Sequence, residues 1–157
     1  MKILMICLGN ICRSPLAEGI LQHKIKKYNL NWEVDSAGTA GYHVGEKPHH
    51  LSIKIAKENN IDISKQQCRN FVKEDITRFD KIFVMDNENY NEVKRICGKD
   101  FNENKVDLLL NLSYPNQNKN VPDPWYGNED GYYKVFALID DACENLCNAK
   151  NQITFLL

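Results

Sequence analysis

The chain has 157 residues, enough for one domain to bury its apolar surface without a disulfide or a metal. Hydrophobic residues at 43% and charged residues at 26% describe an ordinary globular protein. A formal net charge of -1 excludes the broad basic field that nucleic-acid or anionic-membrane binding requires.

Lys2–Cys7 is a continuous apolar run, the pattern of a strand buried on both faces. The apolar start ends by Leu8, with Asn10 and Arg13 close behind, so it is too short for a secretory signal. No run approaches transmembrane length, and a cytoplasmic location with largely reduced cysteines is expected. The six cysteines include no C-x2-C pair, so they predict no zinc module.

Ser14 is placed as an N-cap and Pro15 as a first helical residue, opening a helix with Leu16, Ile20, Leu21 and Ile25 on one stripe. Trp32–Ser36 reads as a second strand closed by Ala37-Gly38. Pro48–Asn59 reads as a helix with Leu51, Ile55 and Ala56 inward, and Lys73–Thr77 as a short helical turn. Strand Lys81–Met85, helix Asn87–Cys97 and strand Lys105–Leu110 follow. Residues 111–128 form a long polar loop, and a last helix runs from about Glu129 to Ala149.

Alternating strands and helices predict an α/β fold: a single domain over residues 1–157, a three-layer sandwich with a four-stranded parallel sheet and helices on both faces. Such sheets bind ligands at the carboxyl ends of their strands, which points to the loop after the first strand.

That loop is Cys7-Leu8-Gly9-Asn10-Ile11-Cys12-Arg13-Ser14-Pro15. A cysteine ends a strand, five residues intervene, and an arginine precedes a helix start. A tight loop feeding a helix N-terminus aims backbone N–H groups inward, where the helix dipole adds partial positive charge. Gly9 and Asn10 tolerate left-handed backbone, and Arg13 can grip two phosphate oxygens in a planar fork. The same field favours a thiolate at Cys7, beneath a bound phosphorus. The G-K-[ST] ending of a Walker loop is absent. Taken singly, each residue also has an ordinary structural reading, a core cysteine or a helix cap.

The segment C-L-G-N-I-C-R-S-P-L-A-E resembles the signature of the low-molecular-weight protein-tyrosine phosphatases. Asp123-Pro124-Trp125-Tyr126-Gly127 is similar to that family's acid loop, and Asp35-Ser36-Ala37-Gly38-Thr39 and Val84-Met85-Asp86 also fit. The resemblance implies hydrolysis of phosphotyrosine in proteins, or of small aryl phosphates, through a phosphocysteine intermediate, with no metal or cofactor. By it Cys7 is the nucleophile, Arg13 binds phosphate with the loop Leu8, Gly9, Asn10, Ile11 and Cys12, and Asp123 is the general acid. Ser14 either caps the helix or hydrogen-bonds the thiolate.

Asn10 and Ser36 correspond to the pair that braces the loop, and Gln66 stands where a histidine usually joins them. Arg69, four residues before Lys73, fits the family pattern. Tyr42, Trp125 and Tyr126 correspond to the aromatic walls of the pocket. Related arginine phosphatases carry threonine where this chain has Ile11, so phosphotyrosine is the expected substrate. Oxidation is expected to join Cys7 and Cys12 reversibly.

Two rival readings remain. A thioredoxin-coupled arsenate reductase of the same fold would need resolving cysteines, for which Cys68 and Cys97 are available. A non-catalytic phosphate-binding module would not need Cys7, Arg13 and Asp123 together. Cys143 and Cys147 are expected in apolar packing, and His43, His49 and His50 as solvated loop side chains. The apolar end, Ile153–Leu157, packs either on the body or against a partner.

Overall fold

Apolar runs too short for helices, each bounded by polar turns, form the strands β1 (Lys2–Cys7), β2 (Glu33–Gly38), β3 (Lys81–Val84) and β4 (Val106–Leu108). The computed structural model describes residues 1–156, with side chains described through Ala149. The apolar end at Ile153–Leu157 therefore lies outside the described side chains. All four strands are parallel, in the order β2-β1-β3-β4. The central strand β1 is buried on both faces from Ile3 to Cys7, which explains its unbroken apolar sequence.

The helices are α1 (Arg13–Lys27), α2 (His50–Glu58), α3 (Asp75–Arg78), α4 (Asn87–Cys97) and α5 (Glu129–Leu156). Successive side chains of β1 point to opposite faces, so Ile3, Met5 and Cys7 pack with Leu16, Ile20, Ile139 and Cys143 of α1 and α5. Leu4 and Ile6 pack with Ile76 of α3 and Val93 and Cys97 of α4. A third cluster, Ile11, Cys12, Ile55, Cys68 and Tyr132, lies against the loop that leaves β1.

Several boundaries differ from those expected. Helix α1 starts at Arg13, and its N-cap is Cys12 with no side-chain cap, so Ser14 lies inside the first turn. The first turn still accepts Pro15, because its missing N–H would have had no partner within the helix. Strand β4 is shorter than Lys105–Leu110, because the chain tightens into a 3-10 turn at Leu109–Leu112. The short helix α3 is shifted to Asp75–Arg78, where the buried Asp75 carboxylate accepts from Val72 N at 3.0 Å.

Candidate active site

The loop after β1 is held from outside by its carbonyls. Cys7 O accepts from Thr39 N at 3.0 Å, Leu8 O from Ala40 N at 2.9 Å and Ile11 O from His49 N at 2.7 Å. Gly9 O accepts from Cys68 Sγ at 3.0 Å and Cys12 O from Ser52 Oγ at 3.1 Å. In a trans peptide the N–H of the next residue points opposite to the carbonyl. Five outward carbonyls therefore turn the N–H groups of Leu8, Gly9, Asn10, Cys12 and Arg13 toward the enclosed side. Asn10 makes the bend with a φ of 56°, a left-handed value that asparagine tolerates. Gly38 makes room for it, because a Cβ there would lie 2.8 Å from Leu8 O.

Cys7 is 3% exposed, and its Sγ sits inside this ring. Asn10 N donates to it at 3.2 Å, and Ser14 Oγ lies 3.0 Å away. Asn10 Nδ2 gives its hydrogens to Ser14 Oγ at 2.8 Å and Ser36 Oγ at 2.9 Å. That leaves the Ser14 hydroxyl hydrogen free to point at Cys7, so the sulfur has two donors, the arrangement a thiolate accepts. Ser14 thus meets the sulfur rather than capping α1, and the amides of the first turn stay uncapped beside the loop.

Arg13 is 2% exposed, and its Nη1 is committed to Asp86 Oδ2 at 2.6 Å and Val121 O at 2.9 Å. Its Nη2 lies 3.6 Å from Asp123 Oδ2. Burial opposes the guanidinium charge, but Cys7, Asp86 and Asp123 more than offset it and raise Arg13 further above its ordinary value. Asp123 begins the 3-10 turn Pro124–Tyr126, and its Oδ1 accepts from Trp125 N at 3.0 Å. Asp86 was not among the expected site residues. Its evident task, capping α4 by accepting from Asn89 N at 2.8 Å, hides the second one of holding Arg13.

Bracing of the loop runs through Asn10. Its Oδ1 accepts from Arg69 N at 3.0 Å, while its Nδ2 reaches Ser36. Ser36 Oγ in turn donates to Glu18 Oε1 at 3.0 Å. Gln66 contacts neither Asn10 nor Ser36 by hydrogen bond. Its Nε2 donates to Pro15 O at 3.2 Å, and its Oε1 is buried with no hydrogen-bond partner. The carboxyl beside Ser36 belongs to Glu18, the last residue of the quoted signature segment, to which no role in the site was given.

A cavity of about 150 Å³ opens above Cys7, lined by the loop, Arg13, Asp123, Tyr42, His43, Trp125 and Tyr126. The three expected wall residues thus meet at one mouth, where Tyr42 and Tyr126 are largely exposed. Of the three histidines expected in solvent, His50 is exposed, but His43 and His49 are not simply solvated. His49 stacks on Tyr132 at 5.2 Å and meets Trp125 edge-on at 5.4 Å, and its Nδ1 accepts from Leu51 N to cap α2. Burial, with His50 beside it, lowers its pKa. His43 lies 5.9 Å from Trp125 and pairs with Glu46.

All six cysteines are free and buried. Burial pushes the Cys12 thiol up to about 12, although Tyr132 hydrogen-bonds it, and raises Cys68 to about 11. Cys143 and Cys147 are sealed in the core, and Cys97 packs on the opposite face of the sheet from Cys7. Among the described residues no group of three or more His, Cys, Asp or Glu side chains is arranged to hold a metal ion. Among them also, no helix is long and apolar enough to cross a membrane.

Residues 2–153 match the family model described as low molecular weight phosphotyrosine protein phosphatase. A putative low molecular weight protein-tyrosine-phosphatase of Synechocystis is 37% identical over 148 residues, covering 93% of this chain and 94% of the relative. The low molecular weight phosphotyrosine protein phosphatase of Homo sapiens is 34% identical over 151 residues, covering 94% and 92%. Among solved structures, a protein tyrosine phosphatase of Entamoeba histolytica, with Hepes in its active site, superposes with a TM-score of 0.89 at 36% identity, covering 98% of this chain and 99% of that one. A Drosophila arginine phosphatase superposes with a TM-score of 0.88 at 30% identity, covering 96% and 98%.

Proposed function

The chain belongs to the low-molecular-weight phosphotyrosine protein phosphatase family and is a protein-tyrosine phosphatase, and from that premise we propose how its residues divide the work. Cys7 Sγ attacks phosphorus, and the bond from phosphorus to the tyrosyl oxygen breaks, its electron pair going to that oxygen. Asp123 delivers a proton to the departing oxygen, which would otherwise leave as a basic phenolate. Arg13 and the inward amides stabilise the charge spread over the three remaining oxygens. Asp123 then takes a proton from the water that attacks phosphocysteine, and the S–P bond breaks to free inorganic phosphate and Cys7. Asp86 and Val121 O hold Arg13 in position, and Ser14 and Asn10 steady the sulfur.

The observation that carries this reading is the meeting of Cys7, Arg13 and Asp123 around one cavity of about 150 Å³. The aromatic mouth of Tyr42, Trp125 and Tyr126 suits a phenyl ring entering between walls. Its substrates are phosphotyrosine-bearing proteins or small aryl phosphates in the cytoplasm. Ile11 puts a branched apolar side chain by the phosphate, and this favours phosphotyrosine over a charged phosphoarginine. Arsenate reduction fits less well: Cys68 touches the loop at Gly9 O, but Cys97 lies across the sheet and cannot complete a relay.

The test is to mix the Asp123→Ala variant with an aryl phosphate whose phenol is acidic enough to leave without help, quench in acid, and map phosphate by mass spectrometry. The reading predicts phosphate on Cys7, formed without the acid and hydrolysed slowly without the base. Phosphate on another residue, or none despite turnover of the aryl phosphate, would overturn it.

A further inference from the structure

The bracing of the phosphate cradle ends in a pair of carboxyls that the reaction does not use. Glu18 on α1 and Asp35 on β2 face each other, and Glu18 Oε1 accepts from Ser36 Oγ. Asp35 Oδ2 is gripped by Arg69 through Nε at 3.1 Å and Nη2 at 3.0 Å. Arg69 also reaches Asp75 Oδ2 at 3.0 Å. Both holds on Asn10 start from this pair. Ser36, resting on Glu18, takes one hydrogen of its amide, and the backbone N–H of Arg69, whose side chain clamps Asp35, donates to its oxygen. Asn10 in turn touches Ser14 and the nucleophile.

The polarity of this chain is fixed. Asn10 supplies both amide hydrogens, so Ser36 must send its own hydrogen to Glu18, which therefore always accepts there. The other Glu18 oxygen is left for Asp35, and two carboxyls at hydrogen-bond distance are stable when one proton lies between them. The charged groups facing Glu18 are Asp35 and Arg69. Arg69 divides its charge between Asp35 and Asp75, and Gln66 brings no charge. Burial, with the like charge of Asp35 added, pushes Glu18 up to about 7, against the Ser36 hydrogen bond and Arg69.

We propose that Glu18 is a positioning residue of the cradle which works as a carboxyl sharing a proton with Asp35, and that anion binding in the cradle weakens when the shared proton is lost. Without the proton, two carboxylates repel each other and compete for Arg69. The Ser36 and Arg69 holds on Asn10 loosen together, and a negative charge is added behind the site. The inference rests on the reading of the loop as a phosphate cradle.

The experiment measures sulfate affinity by calorimetry from about pH 5 to about pH 9, over which sulfate stays a dianion and Glu18 changes charge. The Cys7→Ser background removes the nucleophilic thiol from the measurement. There, affinity is expected to fall about threefold through neutral pH beyond any change in the Cys7→Ser/Glu18→Gln protein. Glutamine can accept from Ser36 and donate to Asp35, so the double variant should keep the affinity of the protonated form. In Cys7→Ser/Asp35→Asn the fall should move to lower pH. Profiles that superimpose with and without Glu18, or a fall that Asp35→Asn leaves in place, would overturn the proposal. Absence of sulfate binding at every pH in all variants would instead overturn the cradle reading on which it rests.

Discussion

Asp123 lines the cavity above Cys7 beside Arg13, and there it can meet a leaving tyrosyl oxygen. Its first task is proton delivery, so Asp123→Asn should lower kcat/KM, which reports the step that frees the tyrosyl oxygen, by about a hundredfold or more for a phosphotyrosine peptide. The loss should shrink greatly for an aryl phosphate whose phenol is strongly acidic, because that oxygen leaves without help. Equal losses on both substrates in steady-state kinetics would assign Asp123 to binding. Asp86 acts on the same centre by a different route. Asp86→Ala leaves the buried Arg13 without its closest carboxylate, and an uncompensated buried charge costs on the order of 3 kcal/mol. A urea titration should show that loss together with a higher KM. Cys7 and Arg13 were legible at this scale because a strand end, a tight loop and a helix start confine their spacing. Asp86 and Glu18 stood in the quoted motifs, but their roles were not legible, because each has a sufficient local explanation, a helix cap and a helix interior position.

At the scale of elements, the close approach of β2 to the loop depends on Gly38. A Cβ there would meet Leu8 O at 2.8 Å and Asn10 N at 3.1 Å, both backbone atoms that cannot swing away. Gly38→Ala should push the loop off the strand end and cost about tenfold or more in kcat/KM while the protein still folds. Thermal melts alongside kinetics separate that result from simple unfolding. Where one property sets an element, its limits were readable in the sequence. β1 is a continuous apolar run, and α4 is bounded by Asp86 and Gly98. Where the fold competes with local preference, they were not. Ser14 has the chemistry of a cap but turns to Cys7, and β4 stops at Leu108 although its apolar run continues into Leu110. His49 looked like a loop histidine because its aromatic partners, Trp125 and Tyr132, arrive from distant segments.

Across the whole molecule, β1 ties both layers together by sending Leu4 and Ile6 to one core and Ile3, Met5 and Cys7 to the other. Leu4 is fully buried, and Leu4→Ala should destabilise the fold by about 2–5 kcal/mol through lost burial and a cavity, as read by urea unfolding. The alternation of strands and helices was legible because a parallel sheet requires it. The strand order was not, since no local pattern says which strand lies at the centre. Global stability also carries the mark of Glu18. Its carboxyl rises from an ordinary 4.5 to about 7 on folding, so between those values the folded state holds a proton that the unfolded chain has lost. Stability therefore falls as pH climbs through that window. Glu18→Gln has no such proton to lose, so its Tm should gain on wild type from about pH 5 to about pH 7 and level off above. A constant difference in Tm would deny Glu18 its raised value.

The central claim is that Cys7 performs the chemistry on phosphotyrosine. The most direct measurement is the initial rate of phosphotyrosine-peptide hydrolysis by reduced wild type and by Cys7→Ser, both in a strong chelator. The account predicts rapid turnover by wild type and none by the variant. Turnover that survives in Cys7→Ser, or a wild-type enzyme that the chelator silences, would contradict it.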